Sequence, residues 1–381
     1  MTHQLSVVSG DPGGVNALAP VVLALQADNR YRVHVFGYRQ APLLWRKRGL
    51  ACGELPITLS LAEAQQRLAA LAADLLLTGT STNELNLEKT FIAAAKTTGV
   101  PSLAVLDFWS NYHSRFGDSD GRLSFQPERI AVPDEHARDE MIAEGFDASK
   151  LRITGQPAFD ELAACLAGFT LERHAQIRKS WEIQESELVV VFASQSLESF
   201  YGNQPGVTGY PGYTEHSVLQ ALIPALEQIA ASSGRKIRLV IRPHPLENPA
   251  PLARHGSNIV RVRVDGGYTG REAVLAADLV VGMSTVLLLE AALLKCVVVS
   301  LQPGLLGKDM LPSNSRGLTT SVYRHEDIRP TVQRLLLDES ARAEVTRRTS
   351  SITQSGSTKR VLGLLEELLR QAPLRIGAPQ T

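Results

Sequence analysis

Between Arg238 and Gln302 the chain alternates short apolar, β-branched runs with helical stretches, and that alternation leaves few folds open. Arg238-Leu-Val-Ile-Arg242 reads as a strand, a short helix follows, and Asn258-Ile-Val-Arg-Val-Arg-Val264 reads as the next strand. Ala277 to Leu301 then supplies strand, apolar helix and strand again. Strands that are apolar on both sides and joined by helices are the pattern of a parallel sheet covered on both faces. Two strand ends carry polar groups: Arg242-Pro-His-Pro245 after the first, and Gly282-Met-Ser-Thr285 after the third. Ligands of open α/β sheets bind beyond the carboxyl ends of the strands, near helix N-termini, so both segments aim at one cleft.

The rest of the chain repeats the alternation. Leu5–Ser9 reads as a strand, followed by Gly10-Asp-Pro-Gly-Gly14 and a helix from about Val15 to Gln26. Strand, glycine-rich turn and helix place backbone N–H groups and a helix dipole against an anion, although the spacing is not the dinucleotide fingerprint GxGxxG. A plain tight turn is the equal alternative. Tyr31–Gly37, Asp74–Gly79, Pro101–Asp107, Arg129–Val132 and Leu151–Thr154 read as further strands. Thr78-Gly-Thr-Ser-Thr-Asn83 opens a helix from Glu84 to Thr97, and Asp107 to Phe116 is a connector rich in aromatic and hydrogen-bonding residues. Such a loop either carries function or plugs a sheet edge. A second series starts with Glu187–Ala193, ends that strand in Ser194-Gln-Ser196, and continues through the Gly/Pro/Tyr-rich segment Tyr201–Tyr213, a candidate lid or acceptor loop.

At 381 residues the chain exceeds one ordinary core, which predicts two domains. We place them at 1–168 and 186–350, with 351–381 as a C-terminal helix and tail. Lys+Arg and Asp+Glu both total 39, so no bulk positive field recruits nucleic acid. Cys52, Cys165 and Cys296 have no ligand spacing, and no apolar run approaches the ~18 residues that span a bilayer. The start lacks a basic n-region. The expectation is a cytoplasmic protein without structural zinc, for which a peripheral contact at the inner membrane stays open.

Few residues can carry chemistry. Pro243 and Pro245 fix φ on either side of His244, holding the imidazole in a stiff turn beside Arg242, which suits a phosphate or a polarised sugar oxygen. Ser284 and Thr285 begin a helix, Thr285 to Lys295, where hydroxyls cap the helix or grip a phosphate. Glu290 sits alone on that apolar helix, and needs either a cleft or a buried ion partner. Asp11 and Asp107 are the strand-end carboxylates of the first half, and Asp107 is the preferred base because its loop carries other polar groups. GxSxG, HExxH and Walker A motifs are absent, which leaves hydrolase, metalloprotease and NTPase readings without an anchor.

Taken together, Ser9-Gly-Asp-Pro-Gly-Gly14, Ile153-Thr-Gly-Gln-Pro157 with Asp160, Arg242-Pro-His-Pro245 and Gly282-Met-Ser-Thr285 with Glu290-Ala291 resemble a GT-B glycosyltransferase. That superfamily also holds the non-hydrolysing UDP-N-acetylglucosamine 2-epimerases. The His-Pro pair with the downstream Ser-Thr pair resembles the donor-binding elements of CDP-glycerol glycerophosphotransferases and of sialyl- and Kdo-type transferases. The resemblance implies an α/β chain of two Rossmann-like domains facing a central cleft, the C-terminal helix packing back on the first. It also implies that Arg242, His244, Ser284 and Thr285 hold a nucleotide donor, that Glu290 takes its ribose, and that Ser194, Gln195, Gly13 and Gly14 complete the donor contacts. The expected reaction moves a sugar or related group from a nucleotide-sugar substrate to a hydroxyl of a glycan or lipid-linked acceptor, without metal or cofactor, in polysaccharide or glycolipid assembly. Asp107 or Asp11 would act as base and His244 at the leaving phosphate. Epimerases carry carboxylates where Thr78-Gly-Thr-Ser-Thr82 stands here, which makes epimerisation the runner-up. A non-catalytic nucleotide-sugar-binding protein is the third reading.

Overall fold

The computed structural model describes residues 2–82, 85–244, 247–350 and 355–371. Pro245 of the His-Pro turn, Glu84, expected to start a helix, and the flanks 351–354 and 372–381 of the C-terminal helix lie outside them. The chain divides into two compact units, Met1–Glu161 with Gln354–Thr381, and Leu162–Thr353.

The first unit is built on a seven-stranded, all-parallel sheet. Its strands are β1 (His3–Ser9), β2 (Tyr31–Gly37), β3 (Gly53–Glu54), β4 (Leu75–Thr78), β5 (Ser102–Val105), β6 (Arg129–Val132) and β7 (Leu151–Ile153), in the spatial order β3-β2-β1-β4-β5-β6-β7. Successive side chains of a strand point to opposite faces, so an apolar run serves two cores at once. Leu75 and Leu77 join one buried cluster with Leu5, Val7 and the helix Pro12–Gln26, while Leu76 joins another with Val8 and the helix Leu87–Thr98. The C-terminal helix Ser357–Gln371 belongs to this unit, with Val361, Leu364, Leu365 and Leu368 buried in the cluster of Val15, Leu18 and Val22. Asp160 fixes its start, its two oxygens accepting from Ser357 N (2.9 Å) and Thr358 N (2.6 Å), while Arg360 Nε donates to Thr154 O at 2.7 Å. The Thr154–Asp160 motif thus serves as the cap of a helix far away in sequence, where a carboxylate meets orphan N–H groups and the positive end of the dipole.

The second unit repeats the plan with six parallel strands: β8 (Leu188–Ala193), β9 (Ile237–Arg242), β10 (Arg261–Val264), β11 (Leu279–Gly282), β12 (Val298–Leu301) and β13 (Thr320–Val322), ordered β10-β9-β8-β11-β12-β13. Val190, Phe192, Leu239 and Ile241 face the core under the helices Glu215–Ser233 and His325–Leu337. Val189, Val191 and Val240 face a smaller one with Ile177 and Trp181. The helix Leu171–Ser180, in the stretch read as interdomain, is therefore part of the second unit's sheet covering.

Several boundaries differ from the sequence reading. The first helix begins at Pro12, not Val15, because proline at the first helical position fits the helical φ and spends no needed N–H. Gly13 and Gly14 are accordingly in its first turn rather than in a loop. The helix expected over Thr285–Lys295 is Val286–Leu293, with Thr285 as its cap and Lys295 at φ +63° beyond it. The aromatic connector is a plug: Tyr112 and Phe116 are buried, and Trp109 stacks on Phe159 (5.9 Å between centroids) while donating to Asp134 at 2.8 Å. The segment Tyr201–Tyr213 is tied down at its end, where Leu306 N donates to Pro211 O at 2.8 Å and Tyr213 OH to Gln302 Oε1 at 3.0 Å.

Candidate functional site

In each unit the chain reverses its direction of winding at one strand pair, β1/β4 in the first and β8/β11 in the second. The crevice beyond such a pair is where doubly wound sheets take ligands.

At the first pair, three residue chemistries meet. Gly13 lies so close to Asp107 that a Cβ there would stand 1.9 Å from Oδ2, and a Cβ on Gly79 would stand 2.9 Å from the Gly14 Cα. The start of the helix Pro12–Gln26 can approach the ends of β4 and β5 only because these positions are glycines. Asp107 itself is held: Oδ1 accepts from Thr80 Oγ1 at 2.7 Å and from the Arg115 guanidinium, and the pair is 11% and 5% exposed. Arg115 Nη1 also donates to Thr80 Oγ1 at 2.8 Å. Gln156 Nε2 holds the Asp107 carbonyl at 2.8 Å. Asp11 stands at the N-cap position in an extended conformation, without a side-chain capping bond, its Oδ1 3.9 Å from Arg39 Nη1. Beside it is a carboxylate that the sequence reading missed. Glu88 is 2% exposed, accepts from Gly10 N at 3.0 Å and Ser81 Oγ at 2.8 Å through Oε1, and takes the Tyr38 hydroxyl on Oε2. Burial pushes its pKa above the ordinary carboxylate value.

At the second pair the predicted residues converge. Gln195 Oε1, past the end of β8, accepts from Ser284 N at 2.8 Å, past the end of β11. Thr285 then caps the helix Val286–Leu293 by accepting from Leu287 N. On the other side, Ser194 N donates to Arg242 O at 2.9 Å, and Glu247 bridges the two loops, taking Ser194 Oγ on one oxygen and His244 N on the other, both at 2.8 Å. Glu247 N returns a bond to His244 O at 2.9 Å, closing the His244 turn. Ser194, Gln195, Arg242, His244, Ser284 and Thr285 thus form one hydrogen-bonded crescent. Burial, then the Arg242 charge, holds the His244 pKa below its ordinary value, so the imidazole is neutral near pH 7. Arg242 Nε in the crescent, and Oγ of Ser196, which follows Gln195 in the chain, are buried without a hydrogen-bond partner among the described residues. Such orphans cost free energy that a hydrogen-bonding partner would recover.

Glu290 meets Arg271 of the helix Gly270–Leu275 in a two-pronged ion pair (3.1 and 3.0 Å). Its solitary place on an apolar helix has this partner as its structural reason.

No protein-family model matches the sequence, and no curated protein matches it. Solved structures do. A UDP-GlcNAc 2-epimerase from Neisseria meningitidis superposes with a TM-score of 0.70 at 15% identity, covering 96% of this chain and 100% of that one. MurG from Acinetobacter baumannii follows with 0.65, 13%, 96% and 99%, and a glycosyltransferase from Rickettsia africae with 0.64, 10%, 97% and 99%. The chain has the GT-B fold. Within that GT-B frame, the sequence pattern reached the strand-end residues of the second unit and passed over Glu88, Tyr38, Arg115, Glu247 and Arg271. For Glu247 a signal was present, a carboxylate three residues after His244, at the spacing by which a side chain returns to a backbone N–H. Glu88 gave none, because its partner Tyr38 is 50 residues away in sequence.

Proposed function

We propose that this GT-B chain is a nucleotide-sugar enzyme that transfers a sugar, or a related group, from a nucleotide donor to a hydroxyl acceptor. The donor binds at the strand ends of the second unit and the acceptor at those of the first. The observation that carries this is the crescent around Arg242 and Ser196, whose buried orphan donors, neutral imidazole and capped helix start suit the phosphates of a nucleotide. Arg242 and the N–H groups of the helix Val286–Leu293 balance charge on the leaving phosphate, fixed in place before the bond breaks. His244 donates a hydrogen bond to a phosphate oxygen. Asp11 takes the proton of the acceptor hydroxyl, because Asp107 has its charge balanced by Arg115. The nucleotide is a substrate, and no resident metal or cofactor enters the scheme. Assembly of a surface polysaccharide or glycolipid is the setting we assign, with a glycan or lipid-linked acceptor.

One observation favours the alternative, epimerisation: UDP-GlcNAc 2-epimerases are prominent among the similar structures. Against it, inverting a carbon needs groups to remove and return its proton, and Thr80 at the end of β4 is no acid while Asp107 is locked to Arg115.

The test is a thermal-shift screen with UDP, CMP, CDP, GDP and ADP on the parent and on His244→Ala. A binding nucleotide at a hundredfold excess over its Kd stabilises by about 2.7 kcal/mol. A shift with one nucleotide that shrinks in His244→Ala is the expected result. No shift from folded protein with any of the five overturns the donor site. Incubation with UDP-GlcNAc in D2O separates the chemistries: deuterium appearing at the sugar C2 without an acceptor overturns transfer in favour of epimerisation.

A further inference from the structure

The second unit holds a polar pocket of about 510 Å³ whose lining includes none of the residues assigned to the donor crescent. Two histidines form one wall. His216 is in the first turn of the helix Glu215–Ser233, and His255 follows the short helix Pro249–Leu252. Their rings stack (17° between planes), and His216 Nδ1 stands 2.8 Å from His255 Nε2. At that distance a single proton must lie between the two nitrogens, since two lone pairs would repel. The neutral pair therefore presents outward one N–H and one bare nitrogen, His216 Nε2 and His255 Nδ1 in one order or the other. A second proton turns both outward nitrogens into donors and gives the pair one positive charge. Burial, then the neighbouring His216, holds the His255 pKa below its ordinary value, so His255 is neutral near pH 7.

The other walls favour an anion. Arg254 is exposed and makes no side-chain hydrogen bond or ion pair among the described residues. The Tyr210 hydroxyl and Gln220 amide add uncharged donors. Glu198 is the one carboxylate of the lining, and its Oε1 accepts from Asn203 Nδ2 at 2.9 Å. Glu215, beside His216, is 3% exposed, accepts from Glu198 N at 3.1 Å, and is pushed by burial toward its neutral form. The N-terminal end of a 19-residue helix contributes its dipole.

We propose that this pocket binds a phosphomonoester carried on a small polar group, the phosphate against Arg254 and the histidine pair, with the pair taking up one proton on binding. The volume exceeds that of a bare phosphate, which leaves room for a sugar-sized substituent.

The test is calorimetric titration of the full chain with glucose 1-phosphate and with inorganic phosphate, at pH about 7.5 in two buffers of different ionisation heat. At that pH a phosphomonoester, with its second pKa near ~6, is already a dianion, so proton uptake reports the protein. We expect saturable binding of glucose 1-phosphate with uptake approaching one proton, at least tenfold weaker in Arg254→Ala, an exposed position that does not threaten folding. Uptake vanishes in His216→Ala and His255→Gln, and binding persists in His244→Ala. Absence of saturable binding up to about 10 mM, a Kd already weaker than ~3 kcal/mol of affinity, overturns the proposal. Binding lost in His244→Ala but kept in Arg254→Ala places the phosphate at the donor crescent and equally overturns it. Binding of inorganic phosphate alone overturns the phosphomonoester assignment, and binding without proton uptake overturns the role of the pair.

Discussion

Arg115→Met is the perturbation that most directly tests how the first unit's strand ends are built. The substitution keeps bulk and removes the guanidinium from a site only 5% exposed, leaving Asp107 11% exposed with one of its Oδ1 donors gone. Removing one partner of a buried ion pair typically costs about 3–5 kcal/mol, because the survivor's charge is left without compensation. Thr80 Oγ1 still donates to Asp107, which places the expected loss near the lower end, about 3 kcal/mol. For a unit of this size, that is a fall in Tm of roughly 6–12 °C. Asp107→Asn, which keeps the shape, leaves Arg115 unpaired and should lose a similar amount. The double variant should recover much of it, since neither charge is then stranded. Urea unfolding of the four proteins, followed by a probe within the first unit, measures the cycle. Single losses below about 1 kcal/mol, or a double variant whose loss is the sum of the two, would show that the pair is not a coupled buried unit. The same proteins bear on chemistry. If Asp107 is structural, Asp107→Asn and Arg115→Met lose activity together and in step with folding. Activity abolished in a well-folded Asp107→Asn alone would return the role of base from Asp11 to Asp107.

Gly13→Ala should destabilise the first unit by about 1–3 kcal/mol or displace the Asp107 side chain, since the new methyl would stand 1.9 Å from Oδ2; a crystal structure or a urea titration decides. Asp160→Ala should cost about 1–2 kcal/mol and loosen the start of the helix Ser357–Gln371, seen as faster amide exchange at Ser357 and Thr358 with the rest of the sheet unaffected. Glu88 supplies a pH dependence of defined sign. Its folded pKa is raised above the ordinary 4.5, so the folded state binds the proton more tightly, and stability falls as pH rises from there through the folded pKa. Glu88→Gln should flatten that part of the stability profile, and an unchanged slope would show that Glu88 is ionised at its ordinary value.

How much of this was legible in the sequence depended on the range over which each signal acts. The strands were readable because a parallel strand is buried on both faces, so Leu75-Leu-Leu-Thr78 or Leu279-Val-Val-Gly282 announces itself without knowledge of its neighbours. β3 did not, being two exposed residues, Gly53 and Glu54, whose pairing is set by β2 alone. The residues at the strand ends were readable as polar interruptions of apolar runs, which is how Ser194, Gln195, His244 and Ser284 were found. Their partners were not, because a hydrogen bond leaves no periodic mark. Arg115 stood in a loop already singled out, yet nothing local distinguishes a guanidinium turned onto Asp107 from one in solvent. Glu290 was read as a lone carboxylate needing an explanation, and Arg271 on the neighbouring helix supplies it.

The two sets of strand ends differ in a way that orders the proposed reaction. In the first unit, both Glu88 oxygens and Oδ1 of Asp107 already accept from named donors, so these carboxylates are largely satisfied by the protein itself, and the buried orphan at the end of β4 is an uncharged hydroxyl, Thr78 Oγ1. In the second unit, Arg242 Nε and Ser196 Oγ remain buried and unsatisfied, and an unmade bond at a buried donor costs about 1–3 kcal/mol. A ligand that supplies those acceptors recovers this cost on binding, whereas an acceptor hydroxyl meeting Asp11 gains no such recovery. The nucleotide should therefore bind with measurable affinity in the absence of any acceptor. Arg242→Met, which removes the orphaned donor along with the charge, should raise the stability of the empty protein while weakening the nucleotide at least tenfold. A variant that loses both stability and affinity would show that Arg242 holds the fold rather than the ligand.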